Sequence, residues 1–491
     1  MSRRILLALT CVLTLSAVPT AQQQRNALQA ATETLGVPSL RSLRFTATGQ
    51  SYVLGQPPSA SEPWPVRPVK NYEVTLVFGA GGSMRIDQTL VMPTPQPRGG
   101  GAPFNGEQRQ IQLVNGLIAW NETPNPQGGQ PAAQPQPAAA VERMVWMWMV
   151  SPQGVLKAAG NVPTRAVGNG TEVVFTVGGR YRMTALINRM NQVERVETAI
   201  PNDVLGDMAV VTTYSGYRNF GGVQFPSRIV QTEGGYPTLE LTVSNVEANA
   251  FVSIDVPESV RTATAPAVTV MSQKVAEGIF WLTGGSHHSL AVDMGDHVVM
   301  IEAPQNEARS EAVIAETKKL IPNKPIRYVV NTHIHFDHSG GLRTYVDEGA
   351  TVVTHQANRA FYAKAWAAPR ALMADRLSKS RKTAMFQTVT DRGELRGSNG
   401  RTIELHLLQK NPHNEQLLVA WLPAEKILFQ SDMMNPPAPN TPAPPPTPTI
   451  TNFYDNLQRL NIQPQQIVGG HGNRISTLAD LRTVAGKTGT N

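Results

Sequence analysis

The first half of the chain is patterned as β-strands. Apolar and polar residues alternate over Tyr72–Phe78 and Leu239–Val243, and a period of two places the apolar side chains on one face of a strand. Helical spacing is confined to Ala27–Leu35. Other apolar, β-branched or aromatic runs also predict strands, at Ile111–Trp120, Val141–Val150, Glu172–Val177 and Ala209–Thr213. We therefore expect a mostly antiparallel β domain, curved or half-closed like a half-barrel, over residues 26–250.

The pattern changes beyond residue 268, where strands alternate with helices. The predicted strands are Ile279–Leu282, Ser289–Ile301, Ile326–Val330, Thr351–Val353, Ile403–Leu408, Gln416–Leu422, Lys426–Phe429 and Gln466–Val468. The predicted helices are Glu307–Leu320, Gly340–Glu348, Asn358–Ala374 and Asn452–Leu460. Such a mixture predicts sheets covered by helices over residues 269–491, so the whole chain is α+β. Residues 251–268, which contain Pro257 and Pro266, are interpreted as a linker.

The chain begins with a pattern typical of an export signal. Arg3 and Arg4 precede an apolar run, Ile5–Leu15, and small residues follow as far as Ala21. A basic start, a short apolar core and small residues before a cleavage point are typical of secretory signals, and this run is too short to span a bilayer comfortably. We interpret residues 1–21 as a signal peptide and expect an exported protein, periplasmic or secreted, without stable membrane insertion.

Composition and charge narrow the function classes. Of the 491 residues, 41% are apolar and 16% are charged, a balance typical of folded globular proteins. The formal net charge of +7 is spread without a dense Lys/Arg cluster, so we expect a small-molecule substrate and no nucleic-acid partner. The only cysteine, Cys11, lies in the predicted signal, which excludes a disulfide framework and a thiolate metal site. Nothing in the sequence indicates an oligomeric state.

The candidate chemistry starts in one short motif, Thr332-His333-Ile334-His335-Phe336-Asp337-His338, directly after a predicted buried strand. Because residues i and i+2 of an extended segment point the same way, His333 and His335 can hold one metal ion together. The chain then turns toward a helix, which presents Asp337 and His338 to a second position nearby. Imidazole and carboxylate ligands without thiolate suit zinc, and also iron or manganese.

Three later residues complete the candidate site, each in a loop next to a predicted strand. His413 lies between two strands, Asp432 follows Lys426–Phe429, and His471 follows Gln466–Val468. Strand ends are where α/β sheets place their sites. The candidate metal ligands are therefore His333, His335, Asp337, His338, His413, Asp432 and His471, and the two acids among them are the candidate catalytic residues.

The order of these motifs over about residues 269–485 resembles the metallo-β-lactamase fold superfamily, with an H-x-H-x-D-H core, a later His, an Asp after a strand and a Gly-His-Gly near the end. The resemblance implies a four-layer αβ/βα sandwich with two metal ions, which we expect to be zinc, in a shallow groove. It implies a first ion held by His333, His335 and His413. It implies a second ion held by Asp337, His338 and His471, with Asp432 as the bridge. The acid that the family places early, usually Asp, is Glu302 here.

The resemblance further implies a metal-dependent hydrolase, in which a hydroxide that bridges the two ions attacks a small ester, thioester, lactone or lactam. One alternative is a β-lactamase proper, although Asp432 stands where those enzymes usually have Cys or another non-acidic residue. A second is a non-haem iron oxidoreductase of the same fold. A third is a protein that binds an apolar ligand in its first half and keeps a vestigial metal domain.

Other features carry weaker interpretations. Tyr214–Arg228 resembles the hairpins of periplasmic lipoprotein carriers, which cup a helix in a half-barrel. The simpler interpretation is an accessory β domain without chemistry of its own, because residues 26–249 contain no histidine. His287 and His288 follow two glycines and are interpreted as an exposed loop pair. Pro436–Pro448 is too rich in proline for a strand or helix and predicts a stiff loop at the rim of the groove.

Overall fold

The computed structural model describes residues 21–79, 81–101, 104–129, 131–436 and 441–487. Residues 1–20 of the predicted signal peptide lie outside these ranges, and so do residues 437–440 of the predicted rim loop. In the described ranges, no helix is long and apolar enough to cross a membrane.

One large sheet takes up the strands of the first half. In the described residues its strands are β1 Ser42–Tyr52, β2 Val66–Val77, β3 Ser83–Val91, β4 Glu107–Asn115, β5 Ile118–Thr123, β6 Ala132–Pro135, β7 Thr164–Val167, β8 Gly170–Val177, β9 Tyr181–Ile187, β10 Val193–Asn202, β11 Gly206–Phe220, β12 Val223–Glu233 and β13 Tyr236–Ala248. They pair in the order β6-β5-β4-β3-β2-β1-β13-β12-β11-β10-β9-β8-β7. The pairs along this order are antiparallel, so the prediction of a mostly antiparallel β half is confirmed.

The helices of this half differ from the prediction. They are α1 Ala21–Thr34, α2 Ala140–Met149, α3 Pro152–Ala159 and α4 Glu258–Arg261. The predicted helix at Ala27–Leu35 is the C-terminal part of α1, whereas the strand predicted at Val141–Val150 is wrong, because this segment is α2. Its side chains are buried on most faces. A helix that is apolar on most faces has no clear amphipathic period and cannot be told from a buried strand by periodicity.

The large sheet curves around α2. Both β4 and β10 contact this helix, although six strands separate them in the sheet. Met144 and Met147 of α2 belong to one apolar cluster with side chains from strands that lie far apart in the sheet, among them Leu76 of β2 and Val196 of β10. The half-closed shape that the sequence predicted is therefore present, with a helix inside it.

The second half contains two smaller sheets. In the described residues the first sheet contains β14 Met271–Ala276, β15 Ile279–Thr283, β16 Ser289–Asp293, β17 Val298–Ile301, β18 Ile326–Val330, β19 Thr351–His355 and β20 Phe386–Val389, paired in chain order. The second contains β21 Arg392–Arg396, β22 Thr402–Leu407, β23 Leu418–Leu422, β24 Ile427–Gln430 and β25 Gln466–Gly469, also in chain order. The helices are α5 Glu307–Leu320, α6 Phe336–Ser339, α7 Leu342–Glu348, α8 Asn358–Trp366, α9 Arg376–Ser380, α10 Pro448–Arg459 and α11 Leu478–Val484.

These elements form four layers. Apolar side chains from both sheets, such as Val330 and Phe429, share one buried cluster between the sheets. On the outer face of the first sheet, α5, α7 and α8 add their own cluster, and α10 and α11 cover the outer face of the second sheet. The α+β class and the four-layer sandwich are therefore confirmed.

Two bounds in this half differ from the prediction. The predicted strand Ser289–Ile301 is two strands, β16 and β17, because the chain turns at Gly295, whose φ is 92°. The predicted helix Asn358–Ala374 ends as α8 at Trp366, shortly before Pro369, which cannot continue a helix. The predicted boundaries of the linker and of the two domains stay predictions.

The two halves are joined by polar contacts between residues outside the candidate metal ligands. The guanidinium of Arg370, which is 8% exposed, donates to the backbone carbonyls of Asp203 and Val204 at 2.8 and 3.0 Å. In return the carboxylate of Asp207 accepts hydrogen bonds from the backbone N–H groups of Ala371 and Leu372. Hydrogen bonds that involve charged groups are among the stronger ones in proteins, so these contacts fix how the halves meet.

Candidate metal centre

Strand ends of both sheets of the second half meet at one place. His333 follows β18, His335 is the residue before α6, and Asp337 and His338 lie in the first turn of α6. His413, Asp432 and His471 lie in the loops after β22, β24 and β25. The backbone N–H of Leu418 donates to the carbonyl of Thr332 at 2.8 Å, which ties the two sheets together beside the site.

The seven predicted residues fall into two groups that each have the spacing of a metal site. Within each group the candidate ligand atoms all lie within 4.8 Å of one another. One group contains His333, His335, His413 and Asp432, and the other contains Asp337, His338 and His471 together with His287. The structure therefore brings all seven predicted residues together and adds an eighth.

Asp432 stands between the two groups. Its Oδ2 lies 2.9 Å from Nε2 of His413 and 3.1 Å from Nε2 of His338, and its Oδ1 lies 2.7 Å from Nε2 of His471. The backbone at Asp432 has a φ of 66°, a left-handed conformation that non-glycine residues seldom adopt and that clusters at functional sites. One carboxylate thus contacts histidines of both groups, as the predicted bridging role requires.

Each buried histidine of the motif uses one ring nitrogen for a partner outside the cluster. In His335, Nε2 lies 2.9 Å from the carbonyl of Pro57, while Nδ1 is buried and has no hydrogen-bond partner in the described part of the chain. In His333, Nδ1 lies 2.9 Å from Oγ1 of Thr332 and Nε2 faces Asp432. Metal-binding histidines are typically held in this way, with the second nitrogen fixing the tautomer and the ring orientation.

The second group is held in the same manner. Nδ1 of His338 lies 2.6 Å from Oε2 of Glu302, and Nδ1 of His471 lies 2.8 Å from the carbonyl of Ser286. Glu302 is fully buried and also accepts a hydrogen bond from the backbone N–H of Thr332 at 2.8 Å. Glu302, which stands where the superfamily named above usually has Asp, therefore holds the candidate ligand His338 in place and is not itself part of the cluster.

Burial and mutual contact set the protonation states. Burial lowers the pKa of His333 to about 4, with a further contribution from His338. Burial would raise the pKa of Asp432, but the charges of His338 and His413 outweigh it and hold that pKa well below its usual value. For His338 burial is outweighed by Asp432 and Glu302, which raise its pKa well above the usual range. An ionised Asp432 and a neutral His333 are the forms that bind a metal, whereas His338 has to release the proton of its Nε2 to a bound metal ion.

His287 is the residue that the sequence interpretation missed. Its Nε2 lies 3.2 Å from Oδ2 of Asp337, and its ring meets that of His471 edge-on at 4.2 Å between centroids. Its neighbour His288 is buried and packs edge-on against Trp281. The interpretation of an exposed loop pair is wrong for both, because the glycine-rich loop between β15 and β16 folds over the cluster instead of pointing to solvent.

The first half of the chain also reaches the cluster. Nε2 of Gln56 donates to Oδ1 of Asp337 at 2.7 Å, and its Oε1 accepts the backbone N–H of Gly101 at 3.1 Å. A side chain at Gly100 would place its Cβ 2.6 Å from the ring of His335, so only glycine lets the backbone approach this closely. The first half, which was expected to carry no chemistry of its own, therefore contacts two of the candidate ligands, Asp337 and His335.

The remaining predicted features lie around the cluster or away from it. Pro436, the first residue of the predicted rim loop, lies beside Gly472, the neighbour of His471. The described residues 441–447 of this loop are irregular, and α10 begins at Pro448.

The donor set fits a metal ion. Imidazole nitrogens and carboxylate oxygens in two groups are ligand types that suit zinc, and also iron or manganese. The unpaired, buried Nδ1 of His335 and the single ionised carboxylate between the groups are what a pair of cations would use. His413, Asp337, His471 and His287 are only partly buried, which leaves one side of the cluster open to a small molecule.

Comparison with known proteins finds one matching family and several similar solved structures. The sequence model of the metallo-beta-lactamase superfamily matches residues 282–457, whereas no curated protein matches the chain. Similar solved structures include a metallo-beta-lactamase from Pontibacter korlensis (17% identity, 45% of this chain, 98% of that chain, TM-score 0.34). They also include DIM-1 metallo-beta-lactamase exposed to ceftazidime (18%, 45%, 97%, 0.34) and a metallo beta lactamase from Hirschia baltica (20%, 45%, 97%, 0.34).

Proposed function

Because residues 282–457 of this chain form a metallo-beta-lactamase superfamily domain, that of a metal-dependent hydrolase, we propose that the protein is a dinuclear zinc hydrolase. Its substrate is a small ester, thioester, lactone or lactam. The observation that carries the proposal is the position of Asp432, whose two oxygens contact histidines of both groups at 2.7–3.1 Å. In this proposal His333, His335 and His413 would hold one ion, Asp337, His338 and His471 would hold the other, and Asp432 would contribute to both sites.

Two bound zinc ions would supply a water activated at neutral pH and polarisation of the carbonyl that is attacked. The chain contributes the geometry. Asp432 stays ionised between the two groups, and Glu302 fixes the tautomer of His338 through Nδ1. Gln56 holds Oδ1 of Asp337, so Oδ2 faces the cluster beside His287. The carbonyl of Pro57 and the backbone at Gly100 cover His335 and keep water from that side.

The substrate would enter from the open side of the cluster, where His287, Asp337 and His471 are partly exposed. This entry suits a small molecule better than a nucleic acid, since Lys and Arg are spread along the sequence without a dense cluster. Export to the periplasm or the medium, without stable membrane insertion, is part of the proposal and rests on the pattern of residues 1–21. The division into a β domain over 26–250, a linker and a hydrolase domain over 269–491 is likewise proposed.

The experiment combines metal analysis with a substrate screen. Full-length mature protein, purified without added metal and then reconstituted with zinc, should contain two equivalents of zinc per chain by elemental analysis. It should hydrolyse at least one member of a panel of β-lactams, lactones, esters and thioesters, and a chelator should abolish this activity. Activity on β-lactams alone would identify a β-lactamase proper, and iron instead of zinc in freshly purified protein would favour the oxidoreductase alternative. A metal content near zero after reconstitution would contradict the proposal.

A further inference from the structure

The curved sheet of the first half encloses a cavity of about 400 Å³ that the proposed hydrolase reaction does not use. It lies between the inner face of the sheet and α2, and strands β1, β2, β3, β4, β12 and β13 contribute to its lining. Cavities of about 300–1,000 Å³ are the size that proteins use for small ligands. The cavity is therefore large enough for an organic molecule.

Two carboxyl groups face this cavity. Glu233 ends β12 and is 4% exposed; its Oε1 accepts a hydrogen bond from Nε2 of Gln231 at 2.7 Å. Its Oε2 is buried and has no hydrogen-bond partner among the described residues. Glu142, from α2, lines the same cavity at its solvent-exposed side. A buried carboxylate without a partner costs free energy, so a ligand that donates hydrogen bonds or carries positive charge would stabilise this arrangement.

Two arginines, Arg67 and Arg143, also line the cavity. The guanidinium of Arg143 donates to the carbonyls of Leu113 and Trp120 and to Oδ1 of Asn121, at 2.6–3.2 Å. The guanidinium of Arg67 lies over the ring of Phe104, 5.3 Å from its centroid. No salt bridge joins Glu142 or Glu233 to a cation in the described residues. The two acids therefore face the cavity without an ion pair in the described part of the chain, and the buried Oε2 of Glu233 is left for a ligand.

The rest of the lining is apolar and aromatic. Trp146, Tyr72, Ile86 and Leu90 contribute side chains, and Nε1 of Trp146 donates to the hydroxyl of Tyr72 at 3.2 Å. Aromatic faces attract cations as well as apolar groups. The two glutamates and several glutamines make this lining more polar than a lipid needs, so the purely apolar ligand of the third sequence alternative fits it poorly.

We infer that this cavity is a binding site for an organic cation with an apolar body, of the aralkylamine class. The ammonium group lies between Glu142 and Glu233, where Oε2 of Glu233 accepts one of its hydrogen bonds. The apolar body packs against Trp146 and Ile86. The site is independent of the proposed hydrolase function, because none of these residues touches the histidine cluster. Burial, together with the charge of Glu142, also raises the pKa of Glu233 to about 8, and a bound cation would favour the ionised form.

The test uses three probes of nearly equal size and different charge on full-length protein. Isothermal titration calorimetry with phenethylamine, 2-phenylethanol and 3-phenylpropionate should show saturable binding of the amine, with the alcohol and the acid at least tenfold weaker. A charge-assisted hydrogen bond contributes about 1.5–3 kcal/mol, or about tenfold or more in affinity. Equal binding of the alcohol, preferred binding of the acid, or no binding of the amine would overturn the inference.

Two variants locate the binding. Glu233→Gln keeps an oxygen for Gln231 and removes the charge, and it should weaken amine binding about tenfold or more without changing the affinity for the alcohol. Glu142→Gln serves the same purpose and does not disturb the bond to Gln231, so the test stands if the first variant does not fold. Glu194→Gln, at an exposed position of β10 and not in the lining of the cavity, is the matched control. Amine affinity that is unchanged in both cavity variants would place the binding elsewhere.

Discussion

Gln56→Ala should weaken binding of the second metal ion while leaving the first ion in place. Gln56 lies in the first half of the chain, 281 residues before Asp337, and donates from Nε2 to Oδ1 of that acid at 2.7 Å. A hydrogen bond to a charged group contributes about 1.5–3 kcal/mol. Because 36% of the Asp337 side chain is exposed, we take the lower end of this range. About 1.4 kcal/mol corresponds to about tenfold in affinity.

The assay is a competition titration of zinc against a chromophoric chelator, with thermal melting as the check on folding. The affinity of the second site should fall about tenfold, within the range of about 10–100-fold that supporting contacts of metal ligands show. The first site should be unchanged, because the carbonyl of Pro57 still holds His335. Gln56→Glu keeps the length of the side chain but removes the donor and places a second carboxylate beside Asp337, so it should weaken the second site further.

Gln108→Ala is the matched control, since this exposed glutamine lies in β4, away from the cluster. If Gln56→Ala binds two zinc ions with the affinities of the unaltered protein, Gln56 does not position Asp337. If instead the zinc affinities of both sites and the melting temperature all fall, the Gln56 contact stabilises the fold. The substitution then displaces the whole loop that carries Gln56 and Pro57.

Three further predictions follow from the same contacts. The Asp432→Asn variant should lose the second ion first and should lose most of its turnover. Its melting temperature should stay within a few degrees of that of the unaltered protein, because Asn tolerates the left-handed φ of 66°. Two bound ions with normal turnover would show that Asp432 is not the bridge. Glu302→Gln should weaken the second site about 10–100-fold by removing the carboxylate that accepts from Nδ1 of His338, measured by the same chelator competition, and an unchanged second-site affinity would show that this contact is not needed. Burial and Glu142 raise the pKa of Glu233 from 4.5 to about 8 in the folded protein, so the folded state binds the proton more tightly than the unfolded state. The free energy of unfolding should therefore fall as the pH rises from about 5 to about 8, by an amount on the order of a few kcal/mol. Urea titrations at both pH values should show a smaller fall in Glu233→Gln, and an equal fall in both proteins would contradict the assignment.

The parts of the site that the sequence predicted are those with a local pattern. His333 to His338 are close in sequence and directly follow a buried strand, so their geometry follows from the strand end and the turn into α6. Asp432 and His471 each follow a short apolar strand, and the parallel pairing of β24 and β25 brings their loops to one edge. Candidate ligands that directly follow a predicted strand can be identified from the sequence alone.

The parts that the sequence did not predict depend on contacts across long distances. Gln56 and Pro57 lie in a loop with ordinary composition, and only the docking of the two halves places them against Asp337 and His335. His287 follows two glycines, whose freedom gives no indication of where the loop folds. The segment that forms α2 is apolar on most faces because the curved sheet surrounds it. A helix that is surrounded in this way lacks the alternation of apolar and polar residues that predicts a helix from sequence.

The most direct test of the account is an anomalous diffraction measurement on zinc-soaked crystals of the full-length protein, recorded above and below the zinc absorption edge. Two anomalous peaks should appear in the cluster. The first should lie within bonding distance of His333, His335 and His413, the second within bonding distance of Asp337, His338 and His471, and a carboxylate oxygen of Asp432 should reach each peak. A single peak, or two peaks that Asp432 does not join, would contradict the central claim that this residue bridges a dinuclear centre.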